Sequence, residues 1–223
     1  MRAAVLWTGG KDSALALYKA HLSGHEIINL LTFAPESADF LAHPVSFMKY
    51  QAEAIGISHI EAIIDEPIED AYEYAIRSFK NKYNVRALIT GDMADVRGMP
   101  NWVRQRCAGN DIEVLTPLWG GERSEIFKEL ISYGFKAIIS CVKKESLGEE
   151  WLGRELNDGL FEDLRKIHAE TGIDICGEQG EYHTLVLDGP MFKKSINIGS
   201  YSKGMTDVVM YIKPKDITLS KKA

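Results

Sequence analysis

Six consecutive residues, Thr8-Gly9-Gly10-Lys11-Asp12-Ser13, bring together two hydroxyls, two glycines, an ammonium and a carboxylate. Glycines let a backbone turn tightly and approach an anion, and a helix that opens at such a turn presents unpaired N–H groups and the positive end of its dipole. The flanking residues supply that setting: 3–6 are apolar enough for a buried strand, and 12–21 carry helical periodicity. Phosphate is the ligand this arrangement suits. Thr8 and Ser13 add hydroxyl donors and Lys11 adds charge, whereas Asp12 belongs in an anion site only as a metal ligand, holding Mg²⁺ beside the phosphates. The spacing is neither Gly-x-x-x-x-Gly-Lys-Ser/Thr nor Gly-x-Gly-x-x-Gly, so neither the Walker nor the dinucleotide fingerprint is present. The competing reading is a plain turn with Asp12 or Ser13 as a helix cap.

A second dense stretch, Gly177-Glu178-Gln179-Gly180-Glu181-Tyr182-His183-Thr184, sets two carboxylates three residues apart in a loop that leads into a strand. Such a loop aims acidic groups at a substrate or an ammonium ion, with Glu178, Glu181 and His183 as candidate catalytic residues. A polar turn is the alternative. His43, just before Pro44, is a candidate substrate contact, and Arg104 and Arg106 are candidates for neutralising a carboxylate or phosphates. Trp119 and Trp151 are candidate walls of a cleft. Each has a plainer alternative: a structural histidine, a solvated helix face, core packing.

The elements that must position these residues alternate. Apolar runs at 27–33, 60–64, 85–90 and 112–115 read as strands, and 45–55, 68–81 and a stretch around 99–107 read as helices, with a polar connection at 37–39. Alternation at this interval predicts a parallel sheet with helices on both faces. Ligands of such sheets lie beyond the carboxyl ends of the strands, where the strand order reverses. The glycine loop, Thr32-Phe33 and Gly91-Asp92 are then expected to converge on one crevice. Residues 117–121 mark a boundary, after which the pattern changes to helices at 124–133 and 158–171 and short strands at 137–142, 183–187, 195–198 and 208–212. The expectation is a domain over 1–120 and a second α+β domain over 121–223, with 213–223 a frayed, lysine-rich tail.

The glycine loop resembles the SGGxDS pyrophosphate loop of the PP-loop ATP pyrophosphatases, with Thr8 in the usual place of Ser. Taken with Gly91-Asp92, Pro117-Leu118-Trp119, Trp151-Leu152-Gly153-Arg154 and the Gly-Glu-x-Gly-Glu-Tyr loop, the chain resembles the diphthine–ammonia ligase family from Thr8 to Phe192. The resemblance implies an α/β fold: a PP-loop, adenine nucleotide alpha hydrolase-like (HUP) parallel sheet followed by a smaller family-specific α+β domain. It implies ATP and Mg²⁺ as cofactors, with Thr32 and Phe33 taking the adenine and Gly91-Asp92 closing over the nucleotide; His43 matches a histidine of the family. The implied reaction is activation of the diphthine carboxylate on elongation factor 2 as an acyl-adenylate, with pyrophosphate released, followed by amide formation with ammonium.

The chain departs from the family where the loop usually reads Glu-Gly-Gly-Glu-Tyr/Phe-Glu-Thr: Gln179 replaces the first of those glycines and His183 the last Glu. Trp102-Val103-Arg104-Gln105-Arg106 replaces the family's Tyr-Gln-Arg segment. These changes keep open an adenylating or amidating enzyme for a small carboxylic acid such as a cobalamin precursor. A nucleotide sensor without turnover is the alternative of another class, which fold alone leaves standing.

A hydrophobic share of 45% suffices for a sizeable core, and a net charge of −6 disfavours broad affinity for nucleic acid. Cys107, Cys141 and Cys176 are widely spaced, which argues against a disulfide framework, a zinc ribbon or sulfur relay to transfer RNA, and for reduced thiols in the cytoplasm. No signal peptide and no membrane span is read, and a homodimer is left open.

Overall fold

The computed structural model describes residues 1–36, 40–95 and 100–222. The expected connection 37–39 and the helix start at Met99 lie outside these. Strands β1 (Arg2–Leu6), β2 (Glu26–Ala34), β3 (Ser58–Ile63), β4 (Ala87–Ile89) and β5 (Glu113–Leu115) form one parallel sheet in the order β3-β2-β1-β4-β5. The chain builds outward from β1 on one side and then returns to add β4 and β5 on the other, so the order reverses between β1 and β4. Right-handed crossovers therefore place α1 (Lys11–Leu22) on the opposite face from α3 (Ile68–Tyr83) and α4 (Trp102–Cys107). On the latter face Ile76 and Phe79 of α3 and Val103 and Cys107 of α4 cluster with Ala4, Leu31 and Leu88 of the strands. Helix α3 ends where Asn84 takes a left-handed conformation and its N–H bonds the Lys80 carbonyl.

The second sheet is antiparallel, with β6 (Lys136–Lys143), β7 (Tyr182–Asp188), β8 (Lys194–Met205) and β9 (Val209–Lys221) in the order β7-β6-β9-β8. Helices α5 (Arg123–Ser132) and α6 (Asp158–Thr171) meet through Phe127 and Phe161, whose rings stack at 5.3 Å. The tail is not frayed. Residues up to Lys221 belong to β9, paired with β8 from Met205 opposite Met210 to Lys194 opposite Lys221. Of the lysines that suggested a solvated end, Lys213, Lys215 and Lys221 belong to a long hairpin ordered by its partner strand, and Lys222 just beyond it bonds the Gly189 carbonyl.

The chain divides into two compact units: residues 1–8, 12–39 and 57–120 form one, and 9–11, 40–56 and 121–223 the other. Helix α2 (Val45–Ile55) thus belongs to the second unit although it follows β2 in sequence. It buries Phe47, Met48, Gln51, Ala52, Ala54 and Ile55, accepts the Lys193 N–H at the Ala54 carbonyl, and pairs Glu53 with Lys194 of β8. Among the described residues no helix is long and apolar enough to cross a membrane.

Candidate functional site

In the first unit the expected nucleotide contacts lie at the carboxyl ends of the parallel strands. Thr8 Oγ1 and Ser13 Oγ are 3.2 Å apart across the start of α1, and Asp12, half-buried, sits in the first turn of that helix. Gly91 passes so close that a Cβ there would lie 2.6 Å from the Asp12 carbonyl carbon, which only glycine avoids. Asp92 Oδ2 accepts from Thr90 Oγ1 at 2.7 Å and from Asn101 Nδ2 at 2.5 Å, while Asn101 Oδ1 caps α4 by accepting the Arg104 N–H at 2.9 Å. The Gly91-Asp92 turn is thereby tied to the start of α4. Thr32 is buried, its hydroxyl donating to the Trp7 carbonyl at 2.6 Å and lying 2.8 Å from His59 Nε2. Phe33 faces Tyr72 at 4.1 Å, and Tyr72 meets Trp102 edge-on at 6.3 Å; burial first, then Cys107 and Asp92, hold the Tyr72 phenol well above its usual range.

The two arginines of α4 are engaged differently. Arg104 lies over the Trp119 ring at 4.5 Å and donates to Thr116 Oγ1 at 2.6 Å. Arg106 pairs with Glu69 at 3.0 Å and Glu73 at 3.1 Å and covers Trp102 at 4.9 Å, so its charge is spent on joining α4 to α3.

In the second unit the middle of the glycine loop is bonded to strand β7. Gly9, at φ +79°, accepts at its carbonyl from the Val186 N–H at 3.0 Å and from Gln51 Nε2 at 2.8 Å. The Lys11 N–H donates to Thr184 Oγ1 at 3.0 Å. The Lys11 ammonium, expected among phosphates, donates to the Cys176 carbonyl at 2.5 Å and lies 5.4 Å from the centre of the Tyr182 ring, with the residue 2% exposed.

The acidic loop is organised from inside. Glu181 is buried, and its two oxygens accept from the Asp174 N–H at 2.9 Å and the Gln179 N–H at 3.0 Å. Glu178 is half-buried and bears electrostatically on Arg123, whose Nε donates to Asp174 Oδ2 at 2.9 Å. Desolvation lowers the Arg123 pKa, but the Asp174 hydrogen bond and charge, with Glu178 adding, outweigh it and hold the guanidinium above its ordinary value. A cavity of about 440 Å³ adjoins this loop, lined in part by Arg123, Arg165, His168, Gln179 and Glu181.

His43 and His183 meet edge-on at 5.1 Å. The Nδ1 of His43 is sealed from solvent and has no hydrogen-bond partner among the described residues. Burial, then the charges of His183 and Lys11, lower its pKa from 6.5 to about 3, so this ring is neutral at physiological pH. Trp151 is buried beneath the Arg154 guanidinium at 4.3 Å, and Arg154 is itself held by Asp163, which places this tryptophan in packing within the unit.

The structure thus gathers Lys11, His43 and His183 in one cluster of the second unit, with Glu178 and Glu181 on the loop entering the same strand. Sequence reasoning missed Gln51, Thr184, Asn101 and the Arg123–Asp174 pair. Gln51 left a signal: it is a polar residue within the apolar stripe Phe47, Met48, Ala52 and Ile55. Among the described residues no cluster of three His, Cys, Asp or Glu side chains could hold a metal. A Mg²⁺ ion at Asp12 would take most of its ligands from phosphate and water, which is how Mg²⁺ commonly binds.

Comparison with known proteins matches both halves of the chain. The family profile of the diphthamide synthase N-terminal domain matches residues 1–109, and that of the diphthamide synthase C-terminal domain matches 122–217. The chain is similar to the diphthine–ammonia ligases of Bos taurus and Homo sapiens, each 28% identical over 90% of this chain and 84% of the relative. The ligase of Saccharomyces cerevisiae is 25% identical over 86% of this chain and 34% of its own length. Among solved structures, a predicted subunit of tRNA methyltransferase from Methanocaldococcus jannaschii superposes with a TM-score of 0.49 at 18% identity, covering 85% of this chain and 98% of that one.

Proposed function

The chain belongs to the diphthamide synthase family, and on that premise we propose that it is an ATP-dependent carbon–nitrogen ligase that joins ammonia to the carboxylate of diphthine on elongation factor 2. The names of its relatives, matched over most of their length, support the reaction class. The observation that carries the reading is the set of bonds from Gly9 and Lys11 to Val186, Thr184 and Cys176, which fastens a phosphate-type loop to the strand leaving the acidic loop. Residues 9–11 and the acidic loop, both in the second unit, are thus held in one register, which supports a reaction in which nucleotide and ammonia must meet the same carboxylate.

A carboxylate is a poor electrophile because oxide is a poor leaving group. In the proposed sequence a carboxylate oxygen attacks the α-phosphorus of ATP, the bond to the bridging oxygen breaks, and pyrophosphate departs. The nitrogen of ammonia then attacks the acyl carbon, AMP leaves, and the surplus proton passes to a base. The loop around Thr8 to Ser13 holds the two terminal phosphates as a unit, and Mg²⁺ beside Asp12 would offset the charge of the departing pyrophosphate. Glu181 has both oxygens bonded to backbone N–H groups of its loop, and the role of receiving ammonium and taking its proton is given to Glu178, half-buried on the same loop. His43, neutral, offers an imidazole that accepts a hydrogen bond without adding charge.

The edge-on pairing of His183 with His43, at a position where the family usually has Glu, favours one second reading: the same adenylation on a small carboxylic acid. Incubation with ATP, ammonium and diphthine-bearing elongation factor 2 distinguishes the two. The expected products are AMP and pyrophosphate, dependent on the acceptor and on Mg²⁺, with Asp12→Ala slower by on the order of 100-fold. ADP as the sole nucleotide product, read by chromatography, would refute adenylation for either acceptor. Tight nucleotide binding with no AMP from any acceptor would make the protein a sensor.

A further inference from the structure

We propose that Gln51 is a positioning residue for the phosphate loop: its buried carboxamide fixes the Gly9 carbonyl against β7 and thereby sets the Gly9–Gly10 peptide plane. The catalytic consequence rests on the ligase reading above; the anchoring itself does not. Gln51 is 0% exposed, and a primary amide is costly in a core unless its hydrogens find acceptors. Both hydrogens of its Nε2 are engaged, one on the Gly9 carbonyl and one on the Val186 carbonyl, each at 2.8 Å. The Val186 N–H donates to the same Gly9 carbonyl at 3.0 Å.

Gly9 and Val186 are thus joined once directly and once through the side chain of Gln51, which bridges their two carbonyls. The positive φ of Gly9 takes the loop out of strand geometry, so the amide of a third segment completes the pairing. Two donors occupy both lone pairs of the Gly9 carbonyl, and in a planar trans peptide the following N–H, that of Gly10, points to the opposite side. Gln51 shares α2 with Phe47, Met48, Ala52, Ala54 and Ile55, all of them buried. Gly9 must be glycine for the same reason, because a Cβ there would collide with Gln51 Oε1. Since β7 begins at Tyr182 and carries His183, the same carboxamide keeps the phosphate loop in register with the acidic loop.

Gln51→Met keeps the volume and removes both donors, and two readouts test it. In the nucleotide-free protein, amide hydrogen exchange at residues 9–11 and at Val186 should speed up by at least on the order of tenfold, the loss expected when both hydrogen bonds of the carboxamide are removed. In turnover, kcat/KM for ATP should fall on the order of tenfold while the KM for the carboxylic acid acceptor stays within about twofold, a split that general destabilisation would not give. Wild-type exchange at these amides in a folded Gln51→Met overturns the anchoring, and faster exchange with unchanged ATP kinetics overturns the positioning role. Wild-type protein that consumes no ATP would sink the ligase reading alone, and the exchange measurement would still decide the anchoring. If Gln51→Met does not fold, Gln51→Asn, which keeps a carboxamide but draws it back by one methylene from the Gly9 and Val186 carbonyls, is read by the same two measurements with the same outcomes.

Discussion

His43 holds a ring nitrogen sealed from water without a hydrogen-bond partner among the described residues, so protonation is costly in the folded protein and easy in the unfolded chain. Its pKa is lowered from 6.5 to about 3, so between those values the unfolded state binds more protons than the folded one. The stability this neutral ring contributes is fully present above pH 6.5 and is lost as pH falls toward 3. The slope is at most about 1.4 kcal/mol per pH unit for a single proton. Urea midpoints of wild type and His43→Asn, compared at pH 7 and pH 5, should therefore show the wild type losing stability more steeply on acidification. Parallel losses in the two proteins would mean that His43 is not the titrating group. Glu181, also buried, differs in that both of its carboxylate oxygens have partners, the N–H groups of Asp174 and Gln179.

At the scale of elements, helix α4 is only six residues long and depends on its start. Asn101 accepts the Arg104 N–H and donates to Asp92, so one side chain both caps the helix and holds the Gly91-Asp92 turn. Asn101→Ala should destabilise the protein by about 1–2 kcal/mol, the usual range for a lost cap and a charge-assisted bond, and should weaken ATP binding as Asp92 is released. Chemical denaturation and calorimetry check the two halves; stability lost with ATP affinity intact would leave Asn101 a cap and nothing more. Arg106 belongs to the same helix, but its bonds to Glu69 and Glu73 assign it to packing between α3 and α4.

At the scale of the whole molecule the chain passes between its two units after residues 8, 11, 39, 56 and 120. A cut at the glycines near 120 would therefore leave the fragment 121–223 without loop 9–11 and without α2, whose buried face lies on β8 and whose Gln51 bonds Val186. That fragment expressed alone should show no cooperative thermal transition, because α2 leaves uncovered surface that the fragment has nothing to bury. Co-expression with 1–120 should restore the transition. A cooperative melt of the lone fragment, followed by circular dichroism, would show the C-terminal stretch to be an independent folding unit.

The sequence by itself determined what short-range pattern can encode. Apolar periodicity marked the strands and helices of both sheets, the alternation named a parallel sheet, and the strand-glycine-helix passage at Thr8 to Ser13 was legible as a turn from β1 into α1. Strand length was less legible at the end of the chain, where β9 is held by a partner strand and not by its own composition. Only the tertiary structure decided what the buried polar groups do. Lys11 binds Thr184, 173 positions away, and Gln51 binds Val186, 135 positions away; no local window contains both members of either pair. A residue type states how many hydrogen bonds a side chain must make once buried, but the identity of its partners is set by which distant segments the fold brings alongside.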